Sequence, residues 1–68
     1  MKLSECTYGR MVIINREVGF IVGLTYNVSI FHAAELNDEE RFNCTIPLVR
    51  FPQGERGVYP SNLKPFNG

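Results

Sequence analysis

Turn-forming residues cut this chain into short β-type runs, none of which is long enough to build a core alone. Met11–Ile14 is apolar and rich in β-branched side chains, and it follows a Tyr8-Gly9 loop signal. Asn15-Arg16-Glu17 reads as a polar turn. Val18–Tyr26 then reads as a longer strand, interrupted by Gly19 and Gly23, which implies a bulge or a sharp bend. Ile46–Phe51 resumes the pattern, with Ile46, Leu48 and Arg50 on one face and Val49 and Phe51 on the other. Pro47 cannot donate to a ladder, so it belongs at an edge or among the strand's first residues. Pro52–Glu55 suits a turn, and Arg56–Tyr59 a short last strand. Pro60–Leu63 suits one 3₁₀ turn pinned by Leu63, with a fraying tail from Pro65 to Gly68.

The middle of the chain leaves two readings open. Val28–Phe31 looks like another β run, and Asn37–Glu40 is a polar tip. The preferred reading is a long hairpin through residues 33–41, with Arg41–Ile46 returning alongside. The alternative is a short helix, because residues 33–41 are rich in good helix formers and Asn37 suits a cap. Five short strands in so few residues imply an all-β fold, a small and strongly bent barrel forming one domain over residues 1–68.

At 68 residues the chain is small enough for the size of its core to matter. A domain of this length buries only about 60% of its unfolded surface, so a disulfide, a metal or another subunit is the usual supplement. Cys6 and Cys44 are the only cysteines and His32 the only histidine, too few for a structural zinc site. A Cys6–Cys44 bridge is formally possible but unusual in a reducing cytosol, so buried free thiols packing as small hydrophobes are the expectation. That leaves association, including homo-oligomerisation, as the open route. No apolar run approaches the roughly 20 residues that span a bilayer, and no apolar stretch follows Met1-Lys2 to make a signal peptide. A cytoplasmic protein with no membrane partner is the expectation.

Catalytic constellations are thin. A nucleophile would need a base and an orienting acid beside it. Cys44 alternates with Phe42 and Ile46 and so is expected in the core, where a thiol is inert. His32 adjoins Phe31 and two alanines, the setting of a packed or surface histidine. Asp38, Glu39 and Glu40 are sequence neighbours on a polar tip, which makes a solvated face rather than an acid–base pair. No cofactor or metal is implied.

The charges balance overall but not locally. Lys2, Arg10 and Arg16 against Glu5 and Glu17 give residues 1–34 a net of +1. Glu35, Asp38, Glu39 and Glu40 give residues 35–40 a net of −4. Arg41, Arg50, Arg56 and Lys64 against Glu55 give residues 41–68 a net of +3. Neutrality therefore hides a basic body with an acidic projection. Arg50 and Arg56 flank the Pro52–Glu55 turn, where they would meet phosphates or an acidic partner. So few cations support only weak non-specific nucleic-acid binding.

Two segments carry a resemblance. Gly57-Val58-Tyr59-Pro60-Ser61-Asn62-Leu63 resembles the closing signature of Src-homology-3 domains. Tyr8–Val12 followed by Gly19–Gly23 is similar to the opening hairpin of KOW and Tudor-like barrels. Together they cover about half the chain and imply a Src-homology-3-like barrel. The peptide-binding members carry an Ala-Leu-Tyr-Asp-Tyr start and a Trp that floors their groove. This chain has no Trp, and Leu63 replaces the closing Tyr. Tyr8, Tyr26 and Tyr59 are candidates for lining a different groove, against the plainer reading that they sit at the rim with hydroxyls in water.

A second resemblance is local. Gly19–Asn27 and Val58-Tyr59-Pro60 are similar to segments of the plasmid-borne type II dihydrofolate reductases, which are homotetramers with one active site in a central pore. In that family a Val-Gln-Ile-Tyr run and a lysine on the first hairpin line the pore. Val58 and Tyr59 fall on the Ile-Tyr positions, but Gly57 stands in place of the Gln and Met11–Arg16 holds no lysine. What the resemblances imply is a bacterial or phage-borne interaction module for a protein or nucleic acid. Tyr8, Tyr26, Arg50, Arg56 and Tyr59 are its candidate binding residues. A pore enzyme and a structural oligomer subunit are the alternatives.

Overall fold

The computed structural model describes residues 1–67. A 3₁₀ turn at Leu3–Glu5 leads to strand β1, Met11–Ile14, and then to β2, Glu17–Tyr26. The connection is a two-residue hairpin, with Asn15 at φ 48° and Arg16 at φ 68°. Positive φ at both central positions matches the twist of the flanking strands. Two short helices follow, α1 at Ile30–Glu35 and α2 at Asp38–Asn43. Strand β3, Thr45–Phe51, turns at Pro52-Gln53 into β4, Gly54–Gly57. A second 3₁₀ turn, Pro60–Asn62, precedes β5, Lys64–Pro65.

All pairings are antiparallel, in one sheet of order β4-β3-β2-β1-β5 whose edge strands do not pair with each other. The long β2 serves two neighbours. Its first half pairs with β1, and its second half with β3. The register to β3 shifts between Ile21 and Gly23, leaving Val22 as the extra residue of a bulge. Such a bulge bends the strand and increases its twist. Gly19 permits the closest approach, since a Cβ there would lie 2.7 Å from both the Arg50 carbonyl oxygen and Val49 Cγ1.

Side chains of β1, β2 and β3 meet those of the segments before β1 and after β4 in one core. Val12, Ile21, Val49, Phe51, Val58, Leu63 and Cys6 form the buried cluster, with Met1 and Ile14 packed against it. Pro47 is the third residue of β3, and its carbonyl accepts from Val58 N–H at 3.1 Å. Leu63 is 1% exposed and anchors the closing turn. The Met1 amino group donates to the Pro60 and Leu63 carbonyls, at 2.9 and 3.0 Å.

The structure corrects the sequence reading in three places. The chain is β-rich rather than all-β, because residues 30–43 form neither a strand nor a hairpin but the helices α1 and α2. Ser29 Oγ accepts from His32 N–H at 3.1 Å to cap the first helix. Asn37 and Glu40 cap the second reciprocally, at 2.8 and 3.1 Å. Helical geometry also voids the alternation expected around Cys44. Phe42 is exposed, and Cys44 is only half-buried at the end of α2. The tail is tied down as far as Phe66. Lys64 and Pro65 pair with Ile13 and Val12, and Phe66 N–H donates to the Met11 carbonyl at 3.1 Å. Gly68 lies outside the described residues. Both cysteines are free.

Candidate functional site

Tyr26, Arg56 and Tyr59 line one shallow groove on the sheet. Three strands build it. Tyr26 ends β2, Ile46 and Leu48 come from β3, Glu55 to Gly57 come from β4, and Tyr59 stands just before the closing 3₁₀ turn. Cross-strand register puts Thr25 opposite Ile46 and Leu48 opposite Gly57. The Cβ that Gly57 lacks would lie 2.8 Å from both Ile46 Cδ1 and Thr25 Cγ2. Glycine at this position therefore lets Ile46 and Thr25 pack across the bare backbone of β4. Tyr26 and Tyr59, 39% and 53% exposed, share this groove with the Ile46 and Leu48 side chains and with the polar groups of Asn27, Glu55 and Arg56.

The two arginines are already engaged. Arg50 Nε donates to Glu55 Oε2 at 2.8 Å, and its Nη2 holds the same oxygen. Arg56 Nη2 meets Glu17 Oε2 at 3.1 Å, and its guanidinium lies 4.3 Å over the Phe51 ring. A phosphate would have to compete with a carboxylate at each. Arg50 lies outside the groove but ties down Glu55, which is part of its wall. Tyr8 is 83% exposed in the turn before β1 and is not part of the groove.

His32 is exposed on α1, and its backbone N–H donates to Ser29 Oγ. Cys6 is buried and its Sγ–H donates to the Lys2 carbonyl at 3.4 Å. Burial pushes that thiol's pKa up, against the opposing pull of the nearby N-terminal ammonium. The Lys2 backbone N–H donates to Glu5 and holds its carboxyl below the usual range. Among the described residues, no group of three or more His, Cys, Asp and Glu side chains is placed to hold a metal ion. No helix among them is long and apolar enough to cross a membrane.

Sequence reasoning found the tyrosines but missed their grouping with Ile46 and Leu48 in one groove. Its signal was the shared face of Ile46 and Leu48 together with a bare Gly57. It also missed the exposure of Ile30, Phe31 and Phe42, which are 74%, 83% and 68% exposed. Compared with protein-family models, curated proteins and solved structures, the chain matches none of them.

Proposed function

We propose that the chain is a Src-homology-3-like barrel acting as a non-enzymatic interaction module, whose groove takes an extended segment of a partner protein. The reading rests on one observation above the rest. Two half-exposed tyrosines share one groove with Ile46 and Leu48, where Gly57 keeps the β4 backbone free of a side chain. Tyrosine offers a flat apolar ring and a hydroxyl in water, the combination that grips a backbone and its apolar side chains together. The fold supports the same reading, with β5 returning to β1 past a 3₁₀ turn and β2 bent at a bulge between two neighbours. A rigid sheet holding a groove at its strand ends is where binding residues concentrate.

Nucleic acid is the weaker partner, because Arg50 and Arg56 are each bound to a carboxylate. The reductase reading gains no support from the groove. Any side chain at position 57 would have to displace Ile46 Cδ1 and Thr25 Cγ2, each 2.8 Å from the Cβ position.

The test is a selection of extended peptides from a random library on the immobilised chain, repeated with Tyr26→Ala and Tyr59→Ala together. Losing two aromatic contacts should weaken the selected peptides by about tenfold or more. Equal binding by the double variant would overturn the assignment. So would competition by a single-stranded oligonucleotide that Arg50→Ala with Arg56→Ala removes.

A further inference from the structure

Residues 29–43 form an arm that stands largely clear of the sheet. Only Ala33 among its helical residues is buried, and neither helix makes extensive contact with a strand. Its exposed apolar groups are large. Ile30 and Phe31 on α1 and Phe42 on α2 turn most of their surface to solvent. A small domain does not ordinarily leave two phenylalanines and an isoleucine so open on one short projection.

Carboxylates accompany them in register. Glu35 lies four residues after Phe31, and Glu39 three residues before Phe42, so each shares a helix face with a phenylalanine. The arm's other acids are occupied, Asp38 with Arg41 and Glu40 with the cap of α2. Glu35 and Glu39 have no ion-pair partner among the described residues.

The complement of this surface lies on the same molecule. Ile13 and Ile14 of β1 line a groove bordered by Arg16 and Lys64, two cations without an ion-pair partner among the described residues. Arg16 holds a left-handed conformation, φ 68°, in a hairpin turn that glycine would satisfy with less strain. A side chain kept where the backbone disfavours one points to a use for that side chain.

We infer that the occupant of this groove is the arm of a second copy of the chain. Phe31 and Phe42 cover Ile13 and Ile14, while Glu35 and Glu39 meet Arg16 and Lys64. The exchange is reciprocal about a twofold axis, which closes the assembly at a dimer. Packing arm on arm would instead bring like charges together without compensation. The contact uses neither Tyr26 nor Tyr59, so it stands or falls separately from the peptide groove.

Sedimentation velocity of the full chain, from micromolar to millimolar concentration at low and high salt, tests it. The mass should double with concentration, and salt should weaken the association. Phe31→Ser with Phe42→Ser should leave a monomer. Reversing either charge set, Arg16→Glu with Lys64→Glu or Glu35→Lys with Glu39→Lys, should raise the dissociation constant about tenfold or more. Mixing the two reversed proteins, or combining all four changes in one chain, should restore the dimer. A wild-type monomer at every concentration would overturn the inference. Reversed variants that dimerise like the wild type, or a mixture that fails to recover, would do the same. Unchanged peptide binding by a monomer would leave the groove assignment intact.

Discussion

Arg41 fastens the arm to itself by donating from Nη1 to the Leu36 carbonyl at 2.7 Å. The same nitrogen reaches the Ala33 carbonyl at 3.4 Å, and Nη2 pairs with Asp38. One guanidinium from α2 thus satisfies the Leu36 carbonyl just past α1 and adds a second, longer contact to the Ala33 carbonyl, which already accepts from Leu36 N–H at 3.2 Å. Because the arm rests little on the sheet, this link governs its local order rather than global stability. Arg41→Ala should destabilise the arm by about 1.5–3 kcal/mol, the range for hydrogen bonds to a charged group. Hydrogen exchange should accelerate at residues 30–43 and stay unchanged in β2 and β3. Uniform acceleration would show that the arm and sheet unfold together.

The two crowded glycines should respond differently to alanine. At Gly57 the obstacles at 2.8 Å are side-chain atoms of Ile46 and Thr25. At Gly19 the Arg50 carbonyl oxygen, a backbone atom, stands 2.7 Å away and cannot rotate aside. Gly57→Ala should cost about 1–3 kcal/mol and Gly19→Ala more than that. Thermal denaturation measures the order. A Gly19→Ala protein as stable as Gly57→Ala would place the tight crossing of β2 and β3 elsewhere.

Arg16→Gly separates stability from association. Relief of the left-handed strain should raise stability by up to about 1 kcal/mol, allowing for the entropy that glycine brings to the unfolded chain. In a domain of this size that amounts to several degrees in Tm. The same change removes one of the two cations beside Ile13 and should weaken self-association. A variant that is less stable than the wild type would show that the Arg16 side chain supports the hairpin itself.

Cysteine chemistry should divide along burial. Cys6 is 7% exposed with a raised pKa, whereas Cys44 is half-buried at the end of α2. In the native protein Cys44 should be alkylated first, with Cys6 following only on unfolding. The sign of the pH effect follows from the raised value. The unfolded thiol ionises before the folded one, so the Cys6 contribution is full below the ordinary thiol pKa and falls as pH climbs through the folded value. Urea unfolding across alkaline pH should show this decline, and Cys6→Ala should flatten it. Equal alkylation rates in the folded protein would contradict the packing of Cys6.

Much of the sheet was legible because its signals are local. The Met11–Ile14 run, the polar Asn15-Arg16 turn and the alternation of Ile46–Phe51 each specify a strand, its end or its faces within a few residues. The arm was misread although its signals were equally local. Ser29 and the Asn37-x-x-Glu40 spacing are helix starts, but Asn37–Glu40 equally suits a hairpin tip, because both patterns begin with the same polar residues. Strand β5 had no local signal. Its two residues pair with β1 directly after the buried Leu63, a tertiary arrangement. In the groove the tyrosines were visible as residue types. Their convergence depends on the β2 bulge and the β3–β4 register, and no single segment contains that information.

The groove is tested most directly by amide and side-chain NMR shifts on titration with a selected extended peptide. Peptide binding in the groove predicts shifts concentrated at Tyr26, Ile46, Leu48, Gly57 and Tyr59, with the Asn15–Arg16 hairpin undisturbed. Shifts at Arg50 with none at Tyr26, Gly57 or Tyr59, or spread over the helical arm with none in the groove, would contradict it.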